Sequence, residues 1–289
     1  MASGGAIMHG GASSELRKAD VAWRDLMSLR RAELAWEISL SAPWLAGSLV
    51  AYHYGWFPVG AGCSFYFFLT GLRQSHGAQH YTLGFSKRIQ DGVLFVLSLC
   101  MLASMHAVQT SHLHHHRRCL QDDDAEGSAA RMPWWRAILA GPAFLWGLHA
   151  NGWRLAKGPK RRWIAAELVG AGAVIAVAAA RPVAALQWHV LAMLAGECLT
   201  GFFAVWTVHH GCDPHETVAR TQRGRWVNRL CYGMFYHAEH HLFPQVPTCH
   251  LGVLAERLDR ASAEFAALQV IPSSGRAAAS GAAPARVAS

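Results

Sequence analysis

The chain has 289 residues, 52% of them hydrophobic and only 15% charged, with a formal net charge of +8. Soluble domains carry about 25% charged residues, so this composition belongs in a membrane, and apolar runs of membrane length exclude nucleic acid as the partner of the positive charge. The seven cysteines contain no C-x2-C pair, which excludes a rubredoxin-like or zinc-finger site and reads as reduced, mostly buried thiols.

Residues 1–14 are small and read as flexible, and the charged stretch 15–35 reads as an amphipathic interfacial helix. No secretory pattern is expected, because the first long apolar run follows Arg30 and Arg31 without a clear cleavage site. Apolar stretches at 36–54 and 57–72, joined by a short link at Gly55 and Trp56, predict a helical hairpin. A third apolar stretch covers 91–108. The segment 133–153 has Trp at its ends and reads as an interfacial helix that Gly141-Pro142 would kink. Stretches 163–180 and 184–208 form a second hairpin, turning at Arg181-Pro182. The remainder to 268 is mixed and helical in pattern. The expected division is an N-terminal cytosolic or interfacial segment 1–35, a membrane domain with its cap at 36–268, and a disordered tail at 269–289, Ala/Ser/Gly/Pro-rich from 272.

A span needs about 20 apolar residues. If all five stretches crossed, the first two histidine clusters described below would face opposite sides. If 91–108 does not cross, every cluster falls on one side. Only Arg181 of the 26 Lys and Arg then lies in a far-side loop, and the positive-inside rule makes the histidine side cytoplasmic. The expectation is an all-α, multi-pass integral membrane protein. It has four transmembrane helices in two hairpins, with a helical cap, the histidines and both termini in the cytoplasm. The stretch 91–108 is buried against the protein or lies in the interface.

Three histidine clusters carry the chemistry: His76/His80, His112/His115/His116 and His237/His240/His241, spaced H-x3-H, H-x2-H-H and H-x2-H-H. Residues three and four apart share a helix face, so each cluster can aim its imidazoles at one spot. Eight imidazoles exceed the four ligands of a tetrahedral zinc and suit two metal ions, and imidazole fits iron, copper, nickel or zinc. Gly77 stands where the zincin motif H-E-x-x-H needs its general base, which removes a metalloprotease reading. His209 and His210 end the fourth span on the same face, where either could add a ligand. His114 points off the shared face, and His106 reads as core or as a neighbour of the ligands. Candidates to orient the ligands or a proton relay are Glu197, deep in the fourth span, the acidic run Asp122, Asp123, Asp124 and Glu126, and Glu239 inside the third cluster.

The boxes HGAQH, HLHHH and HAEHH, in that order among two hairpins, resemble the membrane fatty-acid desaturase superfamily, which includes carotenoid ketolases and hydroxylases. The stretch Tyr236-His-Ala-Glu-His-His-Leu-Phe-Pro-Gln-Val-Pro247 is very like its third-box region, and the resemblance covers residues 36–260. It implies a mushroom-shaped helical fold holding two Fe ions. The ligands would be His76, His80, His112, His115, His116, His237, His240 and His241, with a ninth at His209 or His210. The Asn that some members place four residues before the ninth ligand is absent, since Val205 and Trp206 stand there. The implied activity is an O2-dependent oxidoreductase that desaturates an acyl chain, the alternative being hydroxylation or ketolation of a carotenoid or other hydrocarbon. Two electrons would come from ferredoxin, rubredoxin or cytochrome b5 with its reductase. Arg220, Arg223, Arg225 and Arg229 could dock such a donor or anchor the cap to anionic membrane lipids. A metal transporter or histidine-rich sensor is the reading from another class. A transporter places its ligands near the bilayer midplane, whereas these clusters lie outside the spans.

Overall fold

The computed structural model describes residues 21–215, 217–261 and 269–271, and among these it is helical apart from an isolated bridge between Thr221 and Gln269. The N-terminal 20 residues and 272–289 lie outside the described residues, and with them the expectation of a flexible stretch at 1–14 and most of the expected tail. Gln269 to Ile271, at the start of the expected tail, are described. Val270 donates its N–H to the Thr221 carbonyl at 2.8 Å, and Ile271 donates to Gln222 Oε1 at 3.0 Å. These bonds fix 269–271 against the loop before the third histidine box.

The expected interfacial helix at 15–35 is replaced, over the residues described, by a 3-10 turn at Arg24–Met27 and the start of α1 (Arg31–Ser39). The first apolar stretch is not one helix. It breaks at Leu40 and Ser41 between α1 and α2 (Ala42–His53). Gln74 holds the break, donating to the Ile38 carbonyl at 2.6 Å while accepting from the Ser41 hydroxyl at 2.5 Å. Beside it the buried pair Arg73–Glu37, 2.6 Å apart, locks α1 onto α3 (Phe57–Gln79). Pro58 starts α3 in the first turn, where its missing N–H costs nothing. Helix α3 is apolar through its first turns and polar from Arg73, where it reaches the first histidine box.

The third apolar stretch departs from the single helix expected. Helix α4 (Lys87–Met101) stops at Leu102, which takes φ 63°, and the chain turns by 113° into α5 (Met105–Arg118). A leucine in the left-handed region is strained, and the surroundings hold it there. Ser98 Oγ accepts the Met105 N–H, and His149 Nε2 accepts the Ser104 N–H. From the span behind, Glu167 accepts from Ser104 Oγ and from the His106 N–H.

The Trp-flanked segment is likewise two helices, α6 (Trp134–Leu139) and α7 (Gly141–Leu155), with Pro142 in the first turn of the second instead of at a kink. Gly152 lets α7 meet the backbone of α5, because a Cβ there would collide with the Ala107 carbonyl. Then come α8 (Pro159–Ala180) and α9 (Ala184–Cys198), the latter extended by a π turn at Gly201–Trp206 into Thr207–His209. The helices long and apolar enough to cross a membrane are α8 and the extended α9, with the bent α4–α5 pair as a third candidate. Helix α2, with 12 residues, is only about 18 Å long.

The main core lies between α3, α4, α8 and α9, around Phe67, Leu94, Met101 and Met193. A second core joins α12 (Leu251–Ala261) to the N-terminal segment through Leu254, Leu258, Leu26 and Val21. The short helices α10 (Arg225–Leu230) and α11 (His237–Leu242) close the histidine end of the bundle.

Candidate metal centre

Four elements bring histidines together: the end of α3, all of α5, the end of the α9 extension, and α11. His76, His80, His112, His116 and His240 form one group in which the ligand atoms lie within 4.8 Å of one another. Its Nε2 atoms meet closely: His80 to His112 at 2.9 Å, His112 to His116 at 3.1 Å, and His116 to His240 at 3.0 Å. The second group holds His115, His209 and His241 with the thiol of Cys119. His237 joins it, its Nε2 lying 2.9 Å from His209 Nε2 and 3.2 Å from His241 Nε2. Each H-x2-H-H box is thus split between the groups, as helical spacing allows: α5 gives His112 and His116 to one and His115 to the other, and α11 gives His240 to one and both His237 and His241 to the other.

Hydrogen bonds on the far side of the rings fix how the imidazoles face. The Val218 carbonyl only accepts, so His209 Nδ1, 2.6 Å away, carries the proton. His115 Nδ1 donates to Asp124 at 2.7 Å, and His112 Nδ1 to Glu126 at 2.9 Å. In their neutral forms these rings turn bare Nε2 lone pairs inward. His115 and His209 then present two lone pairs to each other across 3.2 Å at a buried position. That arrangement is repulsive unless a cation lies between them. Burial lowers the pKa of His115, yet Glu126, Cys119 and Asp124 outweigh it and hold it well above the usual imidazole range. The surroundings of His115 therefore favour positive charge at this point, which a proton or a metal ion would supply. His116, His240 and His241 are pushed well below their usual range by burial and by neighbouring imidazoles, so they stay neutral and ready to ligate. His76 Nε2 is buried without a hydrogen-bond partner. The donor set and its orphaned lone pairs fit two metal ions.

The other sequence candidates part company. His210 stacks on Trp206 with ring centroids 4.4 Å apart and turns Nδ1 toward the Ala130 carbonyl, outside both groups. Asp122 is exposed, and Asp123 pairs with Arg118 at the surface. Asp124 and Glu126 are the acidic residues that reach the histidines. Glu239 accepts from Thr221 at 2.7 Å and pairs with Arg223 at 2.8 Å, so it ties α11 to the preceding loop instead of orienting a ring. His114 lies 3.4 Å from Asp123, on the outer side of α5. His106 is fully buried against Glu167. Sequence reasoning passed over Cys119, whose Sγ lies 3.7 Å from His115 Nε2. Its signal was its place one helical turn beyond His115 on the same face.

Beside the histidines opens a cavity of about 240 Å³. His76, His112 and His240 of the first group line it, as does His237 of the second. Its walls are otherwise mostly apolar, and Glu197 and Thr200 line it within the membrane helices.

The family model for fatty acid desaturases matches residues 54–271, and the chain belongs to that family. Membership makes it a membrane oxidoreductase whose histidine clusters are suited to metal. No curated protein matches the chain.

Proposed function

We propose that the chain is a membrane-bound non-haem diiron oxidoreductase that uses O2 and two external electrons to desaturate an acyl chain. The observation that carries this reading is the cavity, which is mostly apolar and lined by histidines of both groups. His76, His80, His112, His116 and His240 would hold one iron, and His115, His209, His237 and His241 the other. When bound, the two irons supply O2 reduction and the power to remove hydrogen from an unactivated C–H bond. The protein orients and encloses. Leu69, Leu72, Val108 and Phe144 give the chain an apolar wall that fixes which carbon faces the histidines and keeps water from them. Asp124 and Glu126 hold His115 and His112 in the tautomer that ligates.

In this reading α2, α3, α8 and α9 are four spans in two hairpins, with α1 continuing α2 to span length across Leu40 and Ser41. The cap, the metal centre and both termini are cytoplasmic, as the placement of Lys and Arg supports. Residues 1–35 precede this membrane domain. Arg220 and Arg223 are engaged internally, with the His210 carbonyl and with Asp259. Arg225 and Arg229 remain at the surface, flanking the exposed ring of Trp226. They are the candidates for docking an acidic electron donor or a lipid headgroup.

The test is lipid and pigment profiling by mass spectrometry in a host without its own desaturases, beside a His240→Ala control. New double bonds in fatty acids, absent from the control, establish acyl desaturation. Unchanged acyl chains, with oxidation only of a supplied carotenoid, assign a hydroxylase or ketolase instead. Two tightly held irons per chain support the enzyme, and a freely exchanging ion supports transport.

A further inference from the structure

Glu197 is a carboxylate that the proposed chemistry does not use. It lies on α9 within a membrane helix, is only 3% exposed, and lines the cavity that reaches the histidines. Its Oε2 accepts one long bond of 3.4 Å from Thr200, and its Oε1 has no partner. Phe144, Leu148, Phe203 and Val205, which also line the cavity, have side chains that offer no donor. A carboxyl buried in a membrane helix with one oxygen unpartnered is costly. A purely hydrocarbon ligand would make matters worse by removing remaining water and giving nothing back.

The geometry points to a substrate whose end remote from the histidines carries a hydrogen-bond donor, a hydroxyl for choice, received by Oε1 of Glu197. This rests on the reading of the cavity as the acyl channel. Glu197 precedes His209 by three helical turns, roughly 18 Å along an ideal helix, so a group held there lies well along the chain from the carbon beside the histidines. The π turn Gly201–Trp206 lies between the two residues. A π turn inserts a residue into the helical register, and here the helix directs both Glu197 and the residues Phe203 to Val205 to the cavity while His209 still reaches the second histidine group. A site built around a buried polar group rejects the analogue that lacks the matching group far more strongly than an apolar wall rejects an extra methylene. Glu197 is therefore a specificity-determining residue on the wall of the channel.

The experiment is equilibrium binding to the full chain in lipid nanodiscs, read by displacement of a fluorescent fatty acid. Methyl palmitate is compared with its ω-hydroxylated counterpart. Wild type is expected to prefer the hydroxylated ester by about tenfold or more, equivalent to about 1.4 kcal/mol. Glu197→Leu is expected to lose the preference and to gain affinity for the plain ester. Glu197→Gln, whose amide oxygen still accepts, is expected to keep part of it. Equal affinities in wild type, or a preference that survives Glu197→Leu, overturn the inference. The wild-type comparison decides by itself should Glu197→Leu fail to fold. Binding is read without turnover, so the two readings fail separately. New double bonds without a hydroxyl preference overturn the Glu197 assignment alone. A hydroxyl preference without any oxidised product overturns the desaturase reading alone.

Discussion

Glu167 on α8 and His106 at the start of α5 form a buried pair, Oε1 lying 2.5 Å from Nδ1. The other carboxylate oxygen accepts from Ser104 Oγ at 2.6 Å and from the His106 N–H at 3.1 Å. A membrane helix thereby caps the helix that carries the second histidine box. The first turn of α5 has N–H groups without helical partners, and an anion there also meets the positive end of the helix dipole.

Removing this cap should loosen the metal centre without touching a ligand. Glu167→Ala leaves buried donors unpaired at about 1–3 kcal/mol each, so the melting temperature of the detergent-solubilised protein should fall by several degrees and bound iron should drop below two per chain. Glu167→Gln, which still accepts, should lose less. Full iron content in Glu167→Ala, measured by plasma mass spectrometry, would contradict a positioning role.

The acidic run offers a sharper comparison, because its members have the same sequence context and different surroundings. Asp124 is buried and receives His115 Nδ1, while Asp122 and Asp123 are exposed. Partners of ligating histidines are worth roughly 10- to 100-fold in metal affinity. Asp124→Asn should weaken iron binding by that order in a chelator competition, and Asp122→Asn and Asp123→Asn should leave it unchanged.

Much of this centre was legible beforehand. The i, i+3 and i+4 spacing of the boxes says which rings share a helix face, and the approach of the boxes needs only that their helices end on one side. What the spacing does not carry is which ring goes to which group, since that depends on how α5 and α11 cross. Nor does it separate Asp124 from Asp123, which are neighbours in sequence and differ only through the turn that buries one of them. The break at Leu102 was hidden for a related reason. The run 91–108 is largely apolar, and the left-handed turn is stabilised by Glu167 and His149 from distant helices. His209 and His210 were equivalent until the Val218 carbonyl and Trp206 each claimed one ring.

That last distinction is directly testable. His209→Ala should cost iron from the second group and abolish product formation. His210→Ala should keep its iron and lose only the ring stacking on Trp206, about 0.5–1.5 kcal/mol of stability. Equal iron loss in both variants, by metal analysis of the purified proteins, would refute the assignment of His209 as the ligand.

Acid should release the metal. His116, His240 and His241 lie well below the usual imidazole range in the folded protein. Unfolded imidazoles take up protons below about pH 6.5. The unfolded chain then binds more protons than the folded one, so stability falls as pH drops through that value. Protons also compete directly with metal for Nε2. Bound iron and melting temperature should hold steady above about pH 7 and decline together below about pH 6.5. Asp124, held at about 2 mainly by His115 against the opposing effect of burial, should lose its contribution only in stronger acid, as pH falls from about 4 toward that value. Iron loss on raising the pH from neutral would have the wrong sign.

His116 and His240 meet at 3.0 Å although 124 residues separate them in the chain. Synthesis proceeds from the N-terminus, so the helices bearing His76, His80, His112 and His116 are made well before their partners on α11. Neither histidine group is complete until His237, His240 and His241 emerge, and α12 must still fold back onto the N-terminal segment, where Arg257 grips Asp25. If the centre holds iron as proposed, its capture can be completed only after α11 is made. A nascent chain stalled before α11 would sit in the membrane as an open half-site, able to pick up stray metal and unable to retain it.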